Sequence, residues 1–232
     1  MRWWQSEPNS ENINMDFQEF LRKQEAVYNG FRDISKVESE GTKPNIPVSQ
    51  GGYLIVFRHA LEISQKIGRF SKRIFEEVPA IVYDSATVHT TISELGIREL
   101  FIPEKNTLEK LCSLVREIVI ADKPVVSYSE WLFNQNTVIV AGVPNQGFFD
   151  VAQKVYSLGE RNNIKLRLPW GAQITANRFT ETRTPEELKD FFKLMKESPV
   201  LGKSVLETID VAYFYFNPNG FKITTYERFS LS

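Results

Sequence analysis

The chain has 232 residues, 42% hydrophobic and 25% charged, with a formal net charge of −1. That balance excludes a disordered chain and leaves enough apolar residues for one sizeable core, or for two small lobes sharing one. It also excludes a broad basic surface gripping an extended duplex, while leaving room for a small or single-stranded anionic ligand. Cys112, the one cysteine, sits among Leu111, Leu114 and Val115 and reads as a buried thiol with no disulfide framework, which suggests a reducing compartment. Met1 to Pro8 lacks a long apolar core and no run reaches the roughly 18 apolar residues of a membrane span, so the expectation is a cytoplasmic protein with no membrane association.

In chain order, Pro8 to Asn14 reads as a polar arm. Phe17, Phe20, Leu21 and Val27 follow at the spacing of an amphipathic helix ending near Asn29-Gly30. From Asp33 to Gln50 the composition turns polar with two prolines, which predicts a long surface loop up to Gly51-Gly52. Residues 1–50 thus form an N-terminal arm, helix and loop ahead of a domain over 51–232.

Tyr53 to Phe57 is an apolar run rich in β-branched and aromatic residues, the mark of a buried strand. Leu61, Ile63, Ile67, Phe70 and Ile74 give a helix that stops at Pro79. Short strands are predicted over Ala80–Tyr83 and Val88–Leu95, bracketing Asp84-Ser85-Ala86. Leu108, Leu111, Cys112, Val115 and Ile118 mark a second helix over 107–119, with Asn106 as candidate cap and Glu109 three residues on. Val125–Phe133 and Thr137–Val143 flank Asn134-Gln135-Asn136 as a hairpin. Phe148, Val151, Ala152, Val155 and Leu158 make another helix, then comes Ile164–Leu168 as a strand. Thr184-Pro185-Glu186-Glu187 opens a helix buried through Leu188, Phe191, Phe192 and Met195. Strands over Val205–Phe216 and Phe221–Leu231 close the chain around Asn217-Pro218-Asn219-Gly220.

Two stretches stand out within this plan. In Val88-His89-Thr90-Thr91-Ile92, strand alternation puts His89 and Thr91 on one face, pairing a group that exchanges protons near neutral pH with a hydroxyl able to bind an anionic oxygen. Ala172-Gln173-Ile174-Thr175-Ala176 repeats the form, with Gln173 and Thr175 in the places of His89 and Thr91. Each stretch closes a strand-helix-strand unit. Two such units facing each other bring His89 and Gln173 into one cleft. Read singly, His89 is equally an ordinary strand residue and Gln173 and Thr175 ordinary polar ones.

Two units, each bringing such a strand to a shared cleft, resemble the two-histidine (2H) phosphoesterase superfamily, which includes bacterial RNA 2′,3′-cyclic phosphodiesterases labelled 2′,5′ RNA ligases. The likeness spans roughly Gly51 to Ser232 and is carried by Val88–Ile92 and by Gln173-Ile174-Thr175-Ala176-Asn177-Arg178, the latter similar to the family's His-hydrophobic-Thr-x-x-Arg form. It implies an α+β bilobal fold, with two pseudo-symmetric sheet-and-helix units around a central cleft. It further implies metal-independent, cofactor-free hydrolysis or transfer at a phosphodiester, such as a 2′,3′-cyclic RNA end or small cyclic nucleotide. One histidine then activates water, the other protonates the departing oxygen, and the two threonines hold the phosphate. The sequence departs from the pattern at Gln173, whose amide can donate a hydrogen bond but cannot carry a proton near neutral pH. Binding is therefore expected to survive better than turnover, unless another residue relays the proton; a non-catalytic binding module on the same scaffold, or an unrelated α+β interaction protein, remain the alternatives.

The remaining candidates have bland readings beside the functional ones. Trp170, after Pro169 and before Gly171, is either a stacking wall for a base or a core aromatic. Tyr83 carries the same ambiguity, as does Tyr226, on a late strand placed to border the cleft. Arg178 has the wrong parity to share a regular strand's face with Gln173 and Thr175, favouring a structural ion pair. Lys165 and Arg167 favour a solvated strand edge over an anion lure. His59, at a strand-helix junction, reads as structural, and Trp3 and Trp4 as a docking anchor. The sequence names neither the substrate nor the oligomeric state, and two histidines with one cysteine offer no metal-ligand cluster.

Overall fold

The computed structural model describes residues 15–231. Helix α1 (Phe17–Arg32) starts at Asp16, whose carboxylate accepts from the Glu19 N–H, and runs through Gly30 to end at Asp33. The stretch from Asp33 to Gln50 is not all loop: a one-and-a-half-turn helix, α2 (Ser35–Glu40), forms there, its N–H at Ser35 taken by Asp33 and its Val37 buried. A single apolar residue in six gave no periodicity to read. Strand β1 (Gln50–Phe57), helix α3 (Leu61–Glu77), strands β2 (Ala80–Val82) and β3 (Thr90–Arg98) and helix α4 (Lys105–Arg116) complete the first half. Helix α4 follows Glu104 without a side-chain cap, so the expected cap at Asn106 is not used.

The second half holds β4 (Val125–Phe133), β5 (Thr137–Pro144), α5 (Gln146–Arg161), β6 (Ile174–Phe179), a 3-10 turn (Glu186–Leu188) running into α6 (Lys189–Lys196), β7 (Gly202–Val205), β8 (Thr208–Asn217) and β9 (Gly220–Ser230). Thr184 and Glu187 make the reciprocal capping pair that their spacing predicts. Two strand expectations are corrected. The stretch 164–168 shrinks to one bridge, Arg167 against Glu94. The segment from Val205 splits into β7, paired with β4, and β8, paired with β1, because buried Leu206 turns the chain between them.

Nine strands form one antiparallel sheet in the order β7-β4-β5-β6-β3-β1-β8-β9, with β2 added to β6. The two expected units are therefore joined along a seam where β6 meets β3 through one residue pair, Thr90 against Ile174. The halves mirror each other across it. In the first, β2 crosses to pair with β6; in the second, Arg167 crosses to bridge β3. Helices α3 and α5 pack against both sides of this seam, α3 on β2 and β6, α5 on β3, β4 and β5. One core runs through both halves and takes in Phe20 and Val37 from the stretch ahead of β1. Among the described residues no helix is long and apolar enough to cross a membrane.

A buried ion cluster fixes the approach to the seam. Asp210 on β8 is fully buried and accepts from Arg58 Nε (3.0 Å), Arg228 Nε (2.7 Å) and Thr225 Oγ1 (2.7 Å). Arg58 Nη1 in turn donates to the carbonyls of Ala86 (3.0 Å) and Val88 (3.1 Å), the turn that delivers His89. Burial by itself pushes the Asp210 carboxyl up, but these donors outweigh it and leave the group below the usual carboxylate range. Asp210→Ala strands the largely buried Arg58 guanidinium and takes away the partner of the exposed Arg228, and is expected to lower unfolding free energy by about 3–5 kcal/mol in denaturant titrations at neutral pH. Because the folded carboxyl titrates below its unfolded value near about 3.9, the contribution is present above that pH and fades as pH falls further, so the wild-type advantage should shrink in acid.

Candidate active site

The antiparallel register set by Thr90 and Ile174 places Thr91 across from Gln173 and His89 across from Thr175. His89 and Gln173 are diagonal neighbours on adjacent chains, a relation that spans about 7–8 Å between Cα positions. His89, Thr91, Gln173 and Thr175 all line one cleft, which encloses about 1070 Å³ of space open to solvent. Both leading residues stand just ahead of their strands, since regular pairing begins at Thr90 and Ile174. The alternation read from the sequence holds, with Val88, Thr90, Ile92, Ala172, Ile174 and Ala176 all buried on the opposite face.

The His89 ring is oriented. Nδ1 lies 2.6 Å from the Thr87 carbonyl, which can only accept, so Nδ1 carries the proton and Nε2 keeps its lone pair for the cleft. Phe221 stacks on the ring at 5.7 Å and 19°. Burial, followed by the positive charges of Arg58 and Arg178, drives its pKa down to about 4, although the Thr87 contact opposes this. At neutral pH His89 is thus an uncharged base. Gln173 Oε1 is buried and has no hydrogen-bond partner, beside a Gly171 whose α-carbon has no room for a side chain against Gln24.

Arg178 is a correction. It lines the cleft, donates to the Tyr83 hydroxyl at 3.3 Å and sits over the Phe216 ring at 5.3 Å. Strand parity failed because β6 bulges: against β5, Asn177 pairs with Val138 and Thr175 with Ile139, leaving Ala176 as an extra residue. The bulge turns position 178 back to the face of Thr175. The same device occurs in β3, where Thr91 pairs with Val56 and Ser93 with Ile55, leaving Ile92 extra. It turns Glu94 into the cleft as the counterpart of Arg178.

Tyr83 is buried, lines the cleft and stacks on Phe221 at 4.7 Å. Trp170 lines the cleft half-exposed, with the rings of Tyr28 edge-on at 5.8 Å and Phe31 parallel at 6.4 Å behind it, so it is a wall and not a core residue. Arg167 also lines the cleft, 3.5 Å from Glu94, instead of lying on a solvated strand edge. Tyr226 is not among the cleft residues: it lies at the bulge opposite Val211 and Ala212, towards Arg116, because the hairpin register gives the cleft face to Phe214, Phe216 and Phe221. The sequence reading missed Glu94, the three phenylalanines, and Asn45 and Pro47; alternation of Phe214 and Phe216 on β8 was the available signal.

His59 is structural, as expected. Its ring nitrogens meet Ser204 Oγ (3.0 Å) and Thr90 Oγ1 (3.1 Å) on the face of β3 away from the cleft, and burial pushes it down to about 3. Trp3 and Trp4 lie outside the described residues. Among the described residues no group of three or more His, Cys, Asp or Glu side chains is placed to hold a metal ion. Since the Arg178 charge contributes to the low His89 pKa, Arg178→Gln should move the His89 titration upward in NMR, while burial and Arg58 keep it below about 6.5.

No family model matches the sequence, and no curated protein sequence matches it. Solved structures do. The crystal structure of Escherichia coli LigT complexed with 3′-AMP is 16% identical and aligns over 79% of this chain and 99% of its own with a TM-score of 0.55. The crystal structure of a phosphoesterase is 15% identical over 78% of this chain and 98% of its own, with a TM-score of 0.56. A Thermus thermophilus protein is 14% identical over 78% and 97%, also at 0.56. Together with the mirrored units and their shared cleft, these likenesses show that the chain has the fold of the LigT and phosphoesterase structures.

Proposed function

We propose that the cleft binds the phosphodiester of a 2′,3′-cyclic or related nucleotide, or of a single-stranded RNA end, and hydrolyses it without a metal. The observation that carries this reading is the convergence of His89, Thr91, Gln173 and Thr175 across the Thr90–Ile174 pair, with His89 Nδ1 tied to a carbonyl and its Nε2 left for the cleft. Four polar side chains there line one cleft. Two threonine hydroxyls and the Gln173 amide are donors for its oxygens, and Arg178 adds charge. LigT crystallised with 3′-AMP and with phosphate supports a nucleotide phosphate as the ligand class.

His89 then acts on water. As a neutral imidazole it accepts a proton from the attacking molecule, a contribution typically worth about 10²- to 10⁴-fold. Gln173 holds phosphate but moves no proton, so turnover is expected to lag behind binding. Trp170, braced by Phe31 and Tyr28, offers a nucleobase one aromatic face, and stacking of this kind contributes about 1–3 kcal/mol per base.

The test is hydrolysis of 2′,3′-cyclic nucleotides in the presence of a chelator, with calorimetry for binding. His89→Ala should cut kcat by about 10²- to 10⁴-fold with nucleotide affinity retained, and Gln173→His should raise kcat. Binding without turnover in both the wild type and His89→Ala would reassign the cleft to a non-catalytic binder. Absence of both binding and turnover would overturn the reading.

A further inference from the structure

The mirrored bulges give each half a charged residue in the cleft, and only that of the second half, Arg178, belongs to the motif the resemblance rests on. Arg178 follows Thr175 as Glu94 follows Thr91, each three residues on and each turned into the cleft by the extra residue before it. Each also reaches back to the stretch leading into the opposite motif. Arg178 donates to Tyr83, ahead of His89, whereas Glu94 bridges Arg167, ahead of Gln173, through both backbone and side chain. The symmetry therefore pairs Arg178 with the His89 side of the cleft and Glu94 with the Gln173 side. The charge of Arg178 is felt at both His89 and Glu94, as expected of groups lining one cleft.

Resting on the phosphodiester reading above, we infer that Glu94 supplies the proton that Gln173 cannot, making the cleft an imidazole-carboxyl pair in place of two imidazoles. In that step His89 Nε2 takes a proton from water as the water oxygen bonds to phosphorus. The bond from phosphorus to the departing ribose oxygen breaks, and that oxygen takes its proton from the Glu94 carboxyl. The site is left as imidazolium and carboxylate, which exchange with solvent to reset.

The ionisation states favour this assignment over its reverse. Burial raises the Glu94 carboxyl above the usual range, against the opposing charges of Arg167 and Arg178, while His89 is lowered to about 4 with Arg58, Arg178 and His59 around it. The carboxyl thus holds its proton to higher pH than an ordinary glutamate, and the imidazole gives its own up at lower pH than an ordinary histidine. Environments that separate two titrating groups in this direction make the first an acid and the second a base. Activity is then a bell whose acidic limb belongs to His89 and whose alkaline limb belongs to Glu94.

Glu94→Gln, nearly the same shape, separates the possibilities. The inference predicts a fall in kcat of about 10²-fold or more on 2′,3′-cyclic nucleotide with binding retained, and loss of the alkaline limb. Adding Gln173→His to Glu94→Gln should restore kcat, because an imidazole then occupies the same side of the cleft. A carboxylate that merely repels phosphate would instead leave kcat and the limb in place and tighten binding on Glu94→Gln. Unchanged kcat and pH profile in Glu94→Gln, with His89→Ala still inactive, overturns the inference and leaves the phosphodiesterase reading standing. Wild-type binding with no turnover overturns it as well, and absence of binding removes the reading beneath it.

Discussion

The site depends on one residue pair. Thr90 and Ile174 are the one ladder pair between β3 and β6, and His89, Thr91, Gln173 and Thr175 take their places from that register. In an antiparallel pair the neighbours of opposed residues are themselves opposed, so one match fixes four side chains at once. A one-residue slip of either strand would turn its two residues away from the face of the other two. The buried side of the pair is correspondingly well anchored. The Thr90 hydroxyl meets Tyr128 at 2.7 Å and His59 at 3.1 Å, and His59 is held from behind by Ser204 on the far edge strand. A polar network inside a core costs stability unless each member is partnered, and these members are partnered with one another.

A second constraint comes from outside the two mirrored units. Helix α1 reaches the cleft wall from behind: Gln24 accepts from the Ala172 N–H at 2.8 Å, and the Tyr28 hydroxyl both accepts from the Gly142 N–H and donates to the Gly142 carbonyl. Gly142 has no space for a side chain because the Ala172 carbonyl lies against it. The backbone of β5 and the loop carrying Trp170 thus touch, and α1 clasps both. Arg32 adds a two-pronged pair to Glu130 on β4. The stretch that resembled a mere extension is part of what shapes the cleft.

The parts legible in the sequence were those governed by strict period. Alternation in 88–92 and 172–176 placed the four central residues, and the apolar run of β1 and the capping pair at Thr184 were read directly. What escaped were departures from period. A bulge is one extra residue with no compositional mark, and two of them concealed Glu94 and misassigned Arg178. The face shown by β9 depends on its pairing with β8, which no local pattern around Tyr226 encodes. Helix α2 has too few apolar residues to announce itself, and Trp170 could not be told from a core aromatic until α1 was seen behind it.

The clasp has a consequence for how the molecule is made. Helix α1 finds its partners on β4, on α5 and in the segment 142–172, all of them far down the chain from it. Until those residues have left the ribosome it has nothing to lie against, and a contact of such long sequence separation is slow to close. The wall at Trp170 is therefore completed late, after β4, β5 and α5 exist, and until then a nascent chain holds the aromatic face of α1 without these partners.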